Sequence, residues 1–152
     1  MRQYAWFIAL AVLFLGGILA SNRQFLISDQ VVTVVDQACD LTQTGCSFNY
    51  NDQSVYFSIE PKPILILKPL EIMLESADDA SGVENVQVEF EGINMDMGYN
   101  LVKLKPLEGG KWRATGMLPA CTAETMHWFI KVFVSGKAGV VNFRFRLTTS
   151  NS

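Results

Sequence analysis

From residue 54 onward the chain alternates. In "SVYFSIE" (54–60) Val55, Phe57 and Ile59 point one way and Tyr56, Ser58 and Glu60 the other. "PLEIMLES" sets Leu70, Ile72 and Leu74 against Glu71, Met73 and Glu75, and "ENVQVEFE" sets Val86, Val88 and Phe90 against charged and amide residues. "KWRATGML" places Trp112, Ala114, Gly116 and Leu118 on one side. "MHWFIKVFV" does the same with Met126, Trp128, Ile130, Val132 and Val134. "VNFRFRL" opposes Val141, Phe143, Phe145 and Leu147 to Asn142, Arg144 and Arg146. A period of two is what a strand shows when one face is buried and one is wet.

"YNLVKLK" (99–105) predicts a weaker strand, suited to an edge. Turn-forming clusters separate the runs: "ADDASG", "EGINMDMG", "LEGG", "LPACTAE" and "SGKAG". No long amphipathic helix follows residue 23, and no internal repeat is visible. Six to eight short strands spaced by turns predict an all-β, immunoglobulin-like antiparallel β-sandwich. The proline-rich "EPKPILILKP", with Pro61, Pro63 and Pro69, fits an edge or a strand-switching crossover, because proline cannot donate to a central ladder.

The N-terminus has a different pattern. Residues 4–20, "YAWFIALAVLFLGGILA", are uncharged and apolar, at the short end of what spans a bilayer as a helix. Arg2 and Arg23 flank the run almost evenly, which specifies orientation weakly. A cleaved signal peptide is the rival reading, although cleavage after Ala20 would put Ile18 at the −3 position, where a small residue is wanted. We therefore expect residues 1–23 to be a transmembrane anchor or signal helix, and residues 24–152 to be an exported β-sandwich domain with a core of its own.

Twelve Lys and Arg stand against fifteen Asp and Glu, for a net charge of −3, and no basic block stands out. That argues against nucleic acid as a partner. Enzymatic readings also find little to build on. His127 is the only histidine, and alternation puts it on the wet face beside Lys131. No Gly-x-Ser-x-Gly elbow or phosphate-cradling glycine loop is present. Asp78 and Asp79 lie in a turn, where Asp is expected for its backbone hydrogen bonds. We expect no catalysis.

The soft donor atoms are more informative. Met95 and Met97 lie one residue apart in the polar loop "EGINMDMGYN", and Cys121, Met126 and His127 lie in "LPACTAETMHW". Loops at one end of a sandwich converge, and thioether and thiolate ligands select Cu(I). Ordinary packing stands beside that reading. Met126 continues the Trp128 and Ile130 face, which predicts a core role. His127 reads as a surface histidine, and Met95 and Met97 could tuck beneath their loop.

Of the three cysteines, Cys39 and Cys46 enclose a short loop, "DLTQTG", that suits local closure. That pairing leaves Cys121 free, while pairing of Cys121 with Cys39 or Cys46 stays open. A Cys-x6-Cys spacing fits a structural staple better than a redox motif.

Together, "CDLTQTGC", "GINMDMGYN" and "LPACTAETMHW" resemble an uncharacterised family of small membrane-anchored bacterial proteins. Its pattern is Cys-Asp-Leu…Gly-x-Cys, then Asn-Met-x-Met-Gly, then Leu-Pro-x-Cys…Met-x-Trp. The resemblance spans about residues 39–147. The Met-x-Met loop is also similar to that of FixH and YtkA-like domains, exported β-sandwiches associated with copper handling and respiratory oxidase assembly. Residue by residue, the resemblance reaches Met95, Met97, Cys121 and Met126, with His127 in the variable slot. It implies a Cu(I)-binding accessory protein of the inner membrane, single-pass with a periplasmic domain, or periplasmic after cleavage. Copper chaperones or oxidase subunits would be its partners. A metal-free interaction or assembly module of the cell envelope is the alternative.

Overall fold

The computed structural model describes residues 33–77, 82–120, 122–137 and 139–150. The expected anchor (1–23), Asp78, Asp79 and Cys121 lie outside the described residues. Among those described, no helix is long and apolar enough to cross a membrane.

Ten strands are present among the described residues: β1 Thr33–Asp40, β2 Cys46–Tyr50, β3 Gln53–Glu60, β4 Leu70–Ser76, β5 Val83–Gly92, β6 Leu101–Lys103, β7 Lys105–Pro106, β8 Lys111–Gly116, β9 Thr125–Gly136 and β10 Gly139–Ser150. They form two five-stranded sheets, in the orders β1-β10-β9-β5-β6 and β2-β3-β4-β8-β7. The described residues are all-β, as alternation predicts. Two features differ from the expectation. Strands β1 and β2 precede the first run with clear alternation, and β1 pairs parallel to β10, so the ladders are not all antiparallel.

The inward positions are the predicted ones. Val55, Phe57 and Ile59 are buried, as are Ile72 and Leu74, Val86 to Phe90 at every second residue, and Trp128 to Val134 likewise. Burying such side chains is the main favourable term in folding, roughly 1.5–3 kcal/mol for each large aliphatic or aromatic group. Aromatic rings join the sheets: Phe48 lies 4.1 Å from Phe143 between centroids, and Phe57 stacks on Phe145 at 5.7 Å. Trp128 is fully enclosed, and its indole N–H donates to Thr149 Oγ1 at 3.0 Å, so no polar atom of that side chain is stranded.

The proline-rich segment does something other than expected. Because β3 pairs antiparallel with β4 in register Glu60↔Glu71, residues 61–69 are a long hairpin connection within one sheet. Of the passages between sheets, the shortest falls at Leu104, between β6 and β7. It is buried and its N–H still reaches Val86 O (3.0 Å), while the next two residues pair with β8. The weak strand foreseen at 99–105 is there, shortened to β6 and placed at a sheet edge.

Candidate functional site

The long connections gather at one end of the described unit. Leu67 N–H donates to Leu118 O (3.0 Å), tying loop 61–69 to loop 117–124. Asn100 Nδ2 reaches Met117 O (3.4 Å), tying the Met-x-Met loop to the same segment. At this end Cys39 and Cys46 form a disulfide, which closes the 40–45 turn as local closure predicts. Lys62 Nζ donates to Leu41 O, and burial pushes its pKa below the usual lysine value against the opposing pull of Glu60 and Asp40.

The loop 93–100 is built against the start of β9. Ile93 N–H donates to His127 O at 2.8 Å. Asn94 then brackets the strand: Oδ1 accepts from His127 N–H at 3.0 Å and Nδ2 donates to Thr125 O at 3.0 Å. Asp96 Oδ1 accepts from Gly98 N–H at 2.8 Å, a side-chain turn that places Gly98 at φ +68, where glycine carries no penalty. The return is fixed by Phe90 N–H donating to Asn100 O (3.0 Å).

This folding brings the side chains of Met97 and Met126 together, with Met95 in the same loop. Met126 is 2% exposed, and Met95 and Met97 are half-buried against the same core. A Cβ on Gly92 would sit 3.0 Å from Met97 Cγ, 3.1 Å from Met126 Cε and 2.2 Å from Met95 O. Gly92 therefore marks the point on which the Met loop and the first turn-in of β9 converge. The core role foreseen for Met126 is what the fold gives it.

His127 is placed apart from that cluster. Alternation along β9 turns its ring to the opposite, exposed face, where Nδ1 lies 3.2 Å from Thr148 Oγ1. Among the described residues no group of three or more His, Cys, Asp or Glu is placed to hold a metal ion. Three nearby carboxylates are engaged. Lys131 Nζ lies 3.0 Å from Glu91 and 3.5 Å from Glu89, and Asp96 holds Gly98. Thioethers, where they serve as donors, suit a soft ion such as Cu(I) rather than Zn²⁺ or Ca²⁺.

Two residues that shape the site had no role assigned from the sequence, although Asn94 belongs to the Asn-Met-x-Met-Gly pattern. Gly92 gives no pattern signal, since its need is a close approach in space. Asn94 adjoins the Met-x-Met spacing, and an Asn in a loop reads only as turn chemistry. Comparisons of the chain with protein-family models, with curated proteins and with solved structures return no match.

Proposed function

We propose that the chain is an immunoglobulin-like, membrane-anchored periplasmic accessory protein that binds Cu(I) through Met95, Met97 and Met126, with Cys121 as a further donor. It would hold or pass the ion in copper handling or respiratory oxidase assembly, without catalysis. The observation that carries this reading is the convergence of Met97 and Met126 at Gly92, with Met95 in the same loop. The immunoglobulin-like part is supported by strand order. A four-strand run β10-β9-β5-β6 faces β3-β4-β8-β7, and the first strand lies parallel to the last.

The test is an anaerobic Cu(I) competition titration of the full chain in detergent against a chromogenic chelator. Wild type is compared with Met95→Leu/Met97→Leu and with Cys121→Ser. The reading expects one-to-one binding that the double variant weakens by at least tenfold. Equal affinity in wild type and double variant removes the methionines from the site.

One observation favours the metal-free module as a second reading. Leu65, Leu67, Ile93, Tyr99 and Met117, five of the eight exposed large hydrophobics among the described residues, sit on the three loops of this end. Clustered apolar side chains mark contact surfaces more often than isolated ones do. Here Met97→Leu keeps function, because size and apolarity survive the loss of sulfur. Under copper ligation the same variant loses it.

A further inference from the structure

We propose that residues 93–97 form a hinged strap over the Met126 thioether, latched to β9 by the side chain of Asn94. The carboxamide of Asn94 stands where a peptide group would. It accepts from His127 N–H and donates to Thr125 O, both at 3.0 Å, and so prolongs the β5–β9 ladder with a side chain after the last main-chain bond at Ile93. Glycines flank the strap. Gly92 has Met95 O where a Cβ would stand, and Gly98 takes a positive φ. Beneath it Met126 is 2% exposed.

Asn94 itself is exposed, so water competes for both latch bonds, and each contributes little net stability. Local opening of an exposed segment costs less than opening the central ladder, and loss of the Asn94 bonds lowers that cost further. An ion or reagent reaches Met126 sulfur when the strap lifts. The latch sets the rate of entry and of release together, because its loss affects the free and the filled form alike. This deepens the soft-metal reading and rests on it for the identity of the ion. The latch stands on the hydrogen bonds alone.

Peroxide reads the latch without any metal. Hydrogen peroxide transfers one oxygen atom to a methionine sulfur, giving the sulfoxide and water, and does so faster at reachable sulfurs. The full chain, Asn94→Ala and Asn94→Asp are treated in parallel, and the rate at each methionine is read by mass spectrometry. Met117, 49% exposed, is expected to oxidise rapidly at one rate in all three. Met126 is expected to be slow in wild type and roughly tenfold faster in Asn94→Ala, the worth of about two exposed hydrogen bonds. Asn94→Asp should fall between, because it keeps the acceptor for His127 N–H and lacks the donor for Thr125 O. Hydrogen exchange at the His127 amide should rise in the same order while central β9 amides hold. Equal Met126 rates in wild type and Asn94→Ala overturn the strap.

Ag(I), a soft ion without redox chemistry, supplies the second arm, followed through ¹³C-labelled methionine methyl groups. Faster exchange in Asn94→Ala, with affinity nearly unchanged, is the expected result. Unchanged exchange rates overturn the gate. A wild-type protein that ignores Ag(I) sinks the soft-metal reading, and the peroxide rates then decide the strap on their own.

Discussion

The two ends of the described unit are held by different means. At one end three connections are tight and made by backbone geometry. Asn51 and Asp52, both at positive φ, turn β2 into β3, Gly109 and Gly110 turn β7 into β8, and Gly139 opens β10 opposite Gly136. At the other end lie the long loops 61–69, 93–100 and 117–124, where side chains add to a few backbone bonds such as Leu67 N–H to Leu118 O and Ile93 N–H to His127 O. The Cys39–Cys46 disulfide, Lys62 on Leu41 O, Thr42 Oγ1 accepting from Thr148 N–H at 3.0 Å, and the Asn94 bracket all act there. A turn fixed by its own dihedrals leaves little to adapt. A loop fixed by a few side-chain bonds can open without unfolding the sheets, which is why binding groups gather on such loops.

A matched pair of glycines tests that contrast most directly. A Cβ on Gly136 would meet Gly82 O at 2.1 Å, and one on Gly92 would meet Met95 O at 2.2 Å. The clashes are alike and the surroundings are not. Gly136→Ala must push a β9–β5 junction apart and is expected to cost about 3 kcal/mol, read as a fall in the urea midpoint. Gly92→Ala can lift the strap, so it is expected to cost about 1 kcal/mol and to speed peroxide attack on Met126. Equal losses of global stability from the two variants would mean that the loop end is as rigid as the hairpin end.

The same contrast explains what was legible in the sequence. The central strands were plain because each buries every second residue, and a two-residue period survives in the letters. Strand β2 was hidden by its shortness, although Cys46, Phe48 and Tyr50 do alternate with Ser47 and Asn49 in burial. The Asn51–Asp52 turn was readable in principle as a hairpin signal, weaker than Asn-Gly. The parallel pairing of β1 left no local trace, since its partner lies more than a hundred residues away. At the site, spacing brought out Met95, Met97 and Met126. It gave no hint that Gly92 is their meeting point or that Asn94 is the clamp, because both facts belong to tertiary proximity.

The disulfide sharpens the comparison at intermediate size. It closes a short loop, so reduction or Cys39→Ser/Cys46→Ser is expected to cost about 2.5 kcal/mol by restoring freedom to the unfolded chain. Thermal melts with and without reductant measure it. A larger loss, confined to the loop end in hydrogen exchange, would make the staple part of the site's framework.

The smallest expected effect lies between the ends, on the strand that runs from one to the other. Asp36 of β1 receives two bonds from Arg144 of β10, from Nε at 2.5 Å and from the terminal nitrogen at 2.8 Å, while that guanidinium lies 4.6 Å above the Phe129 ring. The hydrogen bond from Arg144 is the main cause that holds the Asp36 carboxyl below its usual pKa. A folded-state pKa lowered below the unfolded value stabilises the fold above the unfolded value, and the contribution is lost as pH falls through the folded one. The denaturation midpoints of wild type and Asp36→Asn should therefore differ slightly near pH 6 and converge as pH drops below about 4. Because both partners meet solvent, the difference should shrink further in high salt. A gap that instead persists at low pH and high salt would show that Asp36 acts through the shape of the β1–β10 contact. The parallel strand, which runs from the hairpin end towards the disulfide, would then be fixed by packing along its whole length, and the loop end would owe less to its side-chain clamps than the comparison holds.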